Sequence, residues 1–263
     1  MTRRGFGIAA ATLSSLVAPL ASAAEANGYD TFWVNDTPGS DGFEALRRAA
    51  EVTSRIRLGV GVIPIDRRSP DSIVQAIEQS TLPKDRLIVG VGAGGELYGS
   101  LDNVRGAVRT IREQAGVPVA VGALGPRMVA LAAREADAVL LNWLTPRQAK
   151  LSTQEVRSHQ EPGRRCEVIA YVRVALPEGF EQLAGEGDRY ASFPAYARHF
   201  SRMQAQPLAT CAYGTKDKIQ RGLTAFDAEV DETVVRAVSD RETLDAYMGI
   251  LKTARPIERG SAS

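Results

Sequence analysis

Residues 3–34, RRGFGIAAATLSSLVAPLASAAEANGYDTFWV, admit two readings, and the choice between them decides the fold. Read as an export leader, Arg3 and Arg4 are a charged start, residues 5–20 are mostly small or apolar, and Ala21-Ser22-Ala23 has the small-x-small form of a cleavage site. Read as part of a folded domain, Phe6 and Ile8 lie in a short strand. Residues 13–27 then form a helix, Gly28 takes the position just past its C-terminus, and residues 29–34 form a second strand. Cleavage after Ala23 would cut that helix in two and delete the first strand, so the rest of the chain arbitrates.

The rest of the chain alternates. Residues 41–53 carry Phe43, Leu46, Ala49, Ala50 and Val52 at helical spacing. Residues 57–63 are a continuous apolar run ended by Pro64, the pattern of a parallel strand buried on both faces. The same alternation continues through a helix at 70–79, a strand at 86–91, a helix at 104–114 closed by Gly116, and a strand at 117–121. Then come a helix at 127–135, a strand at 138–143, a helix at 146–157 and a strand at 166–175. Helices at 189–204 and 216–226, a strand at 233–238 and a helix at 241–253 complete the chain. Strands near residues 6, 32, 60, 89, 119, 140, 170 and 235, each followed by a helical pattern, imply parallel pairing with right-handed crossovers. Eight such units in 263 residues match the count and size of an α/β (β/α)8 TIM barrel in a single domain, residues 1–254, with 255–263 as a C-terminal tail. A doubly wound open sheet is the alternative. A closed barrel cannot lose its first strand, so the chain is expected to be uncleaved and cytoplasmic.

Charge and composition exclude several classes of function. Lysines and arginines number 32 against 31 acidic residues, a net charge of +1, which provides no field for nucleic acid or an anionic membrane. No other stretch is apolar for long enough to cross a membrane. Cys166 and Cys211 cannot build a disulfide framework, and His159 and His199 have no metal-ligand spacing. The expected partner is a small molecule, with no nucleic acid, no membrane, no metal, and a homodimer as a candidate assembly.

Barrel chemistry takes place at the C-terminal ends of the strands. Those ends carry Asn35 and Asp36, residues 61–65, residues 92–96, residues 122–127, and Asn142 with Trp143. Gly90-x-Gly92-x-x-Gly95 fits a dinucleotide fingerprint literally, but it follows the fourth strand rather than the first. A glycine turn at the barrel top is the plainer reading, and its missing side chains leave room for a flat ring. Gly122-Ala123-Leu124-Gly125-Pro126-Arg127 runs from a glycine turn straight into a helix. Its free N–H groups, the helix dipole and Arg127 suit an anion, although an ordinary turn with a solvated arginine has the same sequence. Asp36 is a candidate catalytic carboxylate or a turn cap, and Trp143 stacks on a ring or plugs the rim.

Residues 24–36, AEANGYDTFWVND, resemble the second-strand signature of the luciferase-like flavin monooxygenase superfamily. Residues 53–62 and 85–94 resemble its third and fourth strands, and residues 122–128 with 136–146 are similar to its deazaflavin-dependent branch, whose members use coenzyme F420. The resemblance spans residues 3–146 and 213–254. It implies a barrel binding F420 or FMN, with the ring in the mouth near Gly61, Val62, Gly92, Ala93, Gly94, Asn142 and Trp143. The phosphate would lie near Gly125, Pro126 and Arg127, Gly122 and Ala123 belong to the same cofactor site, and Asp36 is the candidate acid or base. It also makes residues 59–62 a candidate for an irregular, sometimes cis, peptide behind the ring. The sequence departs from the family in two places: Thr37 stands where F420-using members often carry His, and the segment between Gly95 and Val117 is shorter. Three activities follow from the resemblance: an F420-dependent oxidoreductase acting on a small organic substrate, an FMN-dependent monooxygenase, or a degenerate barrel without catalysis.

Overall fold

The computed structural model describes residues 2–95 and 100–257. Its strands are β1 (Arg3–Ile8), β2 (Thr31–Val34), β3 (Arg57–Pro64), β4 (Leu87–Gly92), β5 (Val119–Ala123), β6 (Ala138–Asn142), β7 (Glu167–Ala175), β8 (Ala212–Tyr213) and β9 (Glu232–Ala237). Between and after them run α1 (Ser14–Ala26), α2 (Gly42–Ala50), α3 (Pro70–Gln79), α4 (Ser100–Ala115), α5 (Pro126–Glu135), α6 (Pro146–His159), α7 (Phe180–Ser192), α8 (Pro194–Met203), α9 (Lys216–Asp227) and α10 (Leu244–Thr253). Every pairing between named strands is parallel. The order β6-β5-β4-β3-β2-β1-β9-β7 closes on itself through β6–β7, giving the eight-stranded (β/α)8 barrel in one domain. The two-residue β8 is additional, and extends the edge of β7 past the end of β6.

The segment with two readings is β1 and α1. β1 lies between β2 and β9, and Phe6 and Ile8 are buried on its outer face. Arg3 donates to Glu167 (2.6 Å) and to Glu232 (3.4 Å), while Arg4 pairs with Asp227 and donates to the Ala254 carbonyl (3.2 Å). The expected turn chemistry holds as well: Gly28 has φ +78° just beyond α1, and Gly116 has φ +68° just beyond α4.

The N-terminal end of the barrel is closed by an ion network under Trp33. Arg3, Arg57, Glu167 and Glu232 form it, and Trp33 Nε1 donates to Glu232 Oε1 (2.8 Å). Burial pushes the Glu232 carboxyl above its ordinary range against the pull of Trp33, Arg3 and Arg57. Trp33 fits because residue 59 is glycine, since a Cβ there would stand 2.3 Å from the indole. This end reads as stability rather than chemistry.

Three expectations need correction. Residues 189–204 are not one helix: the chain breaks at Phe193 (φ −77°, ψ 129°), because Pro194 excludes the α conformation from the residue before it. A further helix, α7, precedes the break, its signal hidden by Gly185 and Gly187. Finally, α4 begins at Ser100 rather than 104. In the proposed tail, residues 255–257 follow α10 without regular structure and 258–263 lie outside the described residues.

Candidate functional site

The ends of β3, β4 and β5 form one wall of the barrel mouth. The Gly61–Val62 peptide is cis, and the register of β3 against β4 shifts between Val60 and Ile63, the irregularity expected for residues 59–62. The half-buried Val62 side chain projects across its neighbours. Its Cγ2 lies 2.9 Å from where a Cβ of Gly92 would stand, and its Cγ1 is 2.9 Å from the same point at Gly122. The expected open space beside Gly92 is thus taken by Val62: close packing of strands leaves no unfilled groove, and the glycines make room for a side chain of the protein itself. Beyond this point, Ala93 is half-buried and Gly94 is exposed, with φ +69°. The Asp66 carboxylate accepts from Gly95 N (2.8 Å) and stands 2.0 Å from where a Cβ of Gly94 would be, so this turn requires glycine there.

The next loop leads from Gly122 and the buried Ala123 into α5. Gly125 is the N-cap and offers no side-chain cap, Pro126 is the first helical residue, and Arg127 is exposed with no hydrogen bond or ion pair among the described residues. The Arg202 guanidinium, from α8, comes within 4.0 Å of where a Cβ of Gly125 would be and donates to the Leu124 carbonyl. His199 sits beside it. Its Nε2 is 2.7 Å from the Trp143 carbonyl, and its Nδ1 lies 3.2 Å from Arg202 and 3.0 Å from the Leu124 carbonyl. The Trp143 carbonyl only accepts, so Nε2 carries a proton; at Nδ1 the Leu124 carbonyl and the Arg202 donor call for opposite states, and one neutral ring satisfies one of the two.

Over β6 and β7 the mouth is covered by α7 and α8. Trp143 is not an exposed wall at the rim. It is 1% exposed, and its left-handed backbone (φ +52°) turns the ring under Arg173, whose guanidinium lies 3.9 Å from the ring centroid. Tyr190 of α7 and Phe200 of α8 pack on the same ring. Asn142 donates to the Tyr196 hydroxyl (3.1 Å) and accepts from Arg173. Arg173 also donates twice to Glu186 Oε1, at 3.2 Å each. Burial pushes the Glu186 carboxyl up, but the charges of Arg173 and Arg236 outweigh that and leave it below its ordinary range.

Asp36 is 6% exposed, and its carboxylate is engaged on both oxygens. Oδ1 pairs with Arg67, while Oδ2 accepts from Arg68 (3.0 Å) and Gly42 N (3.3 Å). The residue ties the loops after β2 and β3 together. In this arrangement it is an anchor, its charge held by two guanidinium groups and a backbone N–H. The structure therefore brings Gly61, Val62, Gly92 and Gly122 into one cluster, sets Gly125, Pro126 and Arg127 beside it, and ties Asp36 and Trp143 into other contacts.

Sequence reasoning passed over Tyr171, Arg173, Arg236, His199 and Arg202. For the first three a signal existed: Tyr171 and Arg173 alternate with Val172 and Val174, and Arg236 interrupts an apolar strand, so period two places polar groups inside the barrel near its C-terminal end. His199 and Arg202 had none, because their role depends on where α8 lands. A cavity of about 190 Å³ opens between the loops after β7 and β9, lined by Glu178, Asp240 and Arg241 among others. That is below the roughly 300 Å³ at which small-molecule pockets begin, so it is not the place for a cofactor ring. Among the described residues no group of three His, Cys, Asp or Glu is placed to hold a metal, and no helix is long and apolar enough to cross a membrane.

The profile of the luciferase-like monooxygenase family matches residues 6–98 and 95–245. The chain belongs to that family. The two matched pieces overlap at 95–98. A protein of Mycobacterium tuberculosis with the provisional name coenzyme F420-dependent oxidoreductase is 26% identical over 216 residues, and the match spans 61% of this chain and 62% of that relative. An F420-dependent secondary alcohol dehydrogenase, solved with an F420–acetone adduct, superposes with TM-score 0.71 at 15% identity, covering 97% of this chain and 99% of its own. The oxygenating constituent of 3,6-diketocamphane monooxygenase from Pseudomonas putida, solved with FMN, superposes with TM-score 0.71 at 12% identity, covering 97% of each chain. At these identities the likeness is one of fold.

Proposed function

We propose that this chain is an oxidoreductase that binds coenzyme F420 at the barrel mouth and exchanges a hydride between it and a small organic substrate. The observation that carries the reading is the pairing of two adjacent surfaces. The β3–β5 wall presents Val62 as its apolar face, seated in the room that Gly92 and Gly122 leave. Beside it, α5 starts without a side-chain cap, with Arg127 in its first turn and the Arg202 guanidinium within 4.0 Å of where a Cβ of Gly125 would stand. A flat ring on a phosphorylated tail needs those two surfaces side by side.

The residues present fit the group. Val62, Gly92, Ala93, Gly94, Gly122 and Ala123 would hold the ring, and the N–H groups at the start of α5 with Arg127 and Arg202 would hold the phosphate. The bound coenzyme supplies the hydride chemistry. The chain positions, excludes water and compensates charge. Helices α7 and α8 cover the β6–β7 side, while on the β4 side Ala93 is half-buried and Gly94 exposed. Asp36 supports the loops at the mouth, and no residue stands at position 37 that could take up a proton near neutral pH, since it is Thr.

FMN is the second reading, because the FMN-bound neighbour superposes as well as the F420-bound one. Adding F420 and FMN separately to the purified protein and following absorbance and fluorescence decides between them. Saturable binding of F420 supports the proposal, and binding of FMN alone replaces it with the monooxygenase reading. Binding of neither leaves a degenerate barrel.

A further inference from the structure

Arg173 and Arg236 are paired in register on β7 and β9, on the face that looks into the barrel, and are 3% and 9% exposed. Like charges on register-paired residues repel, and burying a guanidinium without a counter-charge is costly. The carboxylate that lies among them is Glu186, and its hydrogen bonds come from Arg173. Arg173 also donates to Asn142, so each of its three nitrogens has a partner. Arg236 is different. Among the described residues its bond is from Nη1 to the carbonyl of its neighbour Ala237, 2.7 Å, with no carboxylate in contact. Two residues before Arg173 on the same face of β7, the Tyr171 hydroxyl is buried, 6% exposed as a residue, and has no hydrogen-bond partner among the described residues. It lies 2.8 Å from where a Cβ of Gly61 would be, directed across the interior towards β3. A buried hydroxyl without a hydrogen-bond partner among the described residues, and a buried guanidinium whose neighbouring carboxylate, Glu186, is hydrogen-bonded to Arg173 instead, lie on adjacent strands near the C-terminal end of the barrel and call for the same thing: a ligand oxygen carrying negative charge.

We propose that Arg236, with the Tyr171 hydroxyl below it, binds a carboxylate of the substrate, so that the substrates are small organic acids. This deepens the oxidoreductase reading of the same mouth and rests on it. A carboxylate is favoured over a phosphate by charge. Arg173, Arg236 and Glu186 leave one positive charge over, which a monoanion balances and a dianion exceeds. Glu186 on Arg173 already shows that a carboxylate fits a guanidinium at this level of the barrel.

Isothermal titration of the full chain at low salt with propionate and lactate, against their neutral isosteres propionamide and lactamide, tests the assignment. The acids are expected to bind saturably and the amides not to bind. Arg236→Gln is expected to weaken acid binding about tenfold or more, the loss for a charge-assisted bond, with partial recovery in Arg236→Lys. Should Arg236→Gln fail to fold, Tyr171→Phe serves instead, with an expected loss of about threefold or more. Acids and amides binding alike, neither binding to folded wild-type protein, or unchanged affinity in a folded variant would each overturn the proposal. F420 and FMN titrated into the same preparations separate the two readings. Cofactor bound without acid overturns the carboxylate site alone, whereas acid bound through Arg236 without cofactor overturns the oxidoreductase reading alone.

Discussion

Val62 Cγ2 lies 2.9 Å from the point where a Cβ at Gly92 would stand. A methyl group there cannot be added without displacing the Val62 side chain. Gly92→Ala is expected to destabilise the fold by about 1–3 kcal/mol through overpacking and to weaken cofactor binding. Adding Val62→Ala should restore most of the stability, because the two residues are in contact and their effects are coupled. Urea denaturation of the two single variants and the double variant measures this. Additive losses would mean that Val62 is not what residue 92 meets.

The clasp of α8 on the barrel should depend on pH. Burial, aided by the charge of Arg202, holds the His199 imidazole below its ordinary value of 6.5, against the raising pull of the Trp143 and Leu124 carbonyls. Below pH about 6.5 the unfolded chain takes up this proton before the folded chain does. The contribution of His199 to stability is therefore fully present above that pH and is lost as the pH falls through the lower, folded value. Stability curves of wild-type protein and His199→Gln between about pH 5 and 7.5 should diverge, the variant losing less on acidification. Parallel curves would remove His199 from the clasp.

Glu232 anchors the opposite end of the barrel. It has no exposed side-chain surface, accepts from Trp33 and faces Arg3. Glu232→Ala is expected to cost about 3 kcal/mol or more, because it leaves a buried indole N–H and part of a guanidinium unpaired. Thermal unfolding reads the loss, and cofactor affinity in the folded fraction should stay close to wild type, since this end carries no chemistry.

The fold was legible because its signals are local and repeated: apolar runs of strand length, helical spacing between them, and turn glycines at residues 28 and 116. The start of α5 was legible for the same reason, since Gly125, Pro126 and Arg127 are adjacent in sequence and in space. Asp36 and Trp143 stand at strand ends, as their positions implied. Their partners, however, arrive from 31 and 32 residues further along in one case and from α7 and α8 in the other. Nothing local announces that Arg67 and Arg68 will neutralise Asp36, or that Arg173 will lie on Trp143. The pairing of Arg173 with Arg236 is a property of strand register, which becomes visible only when β7 and β9 are placed side by side.

The central claim is that the β3–β5 wall and the start of α5 together hold a phosphorylated deazaflavin. Arg127 is exposed and unpaired among the described residues, so Arg127→Ala should leave stability within about 0.5 kcal/mol of wild type. That makes it a clean probe of binding. Fluorescence titration of F420 into wild-type protein and Arg127→Ala, each checked for an unchanged unfolding midpoint, is the most direct test. Saturable binding to wild-type protein is expected, with an affinity roughly tenfold to a hundredfold weaker in the variant, the loss of one charge-assisted phosphate contact. Equal affinities in two equally stable proteins, or no binding of F420 to folded wild-type protein, would contradict it.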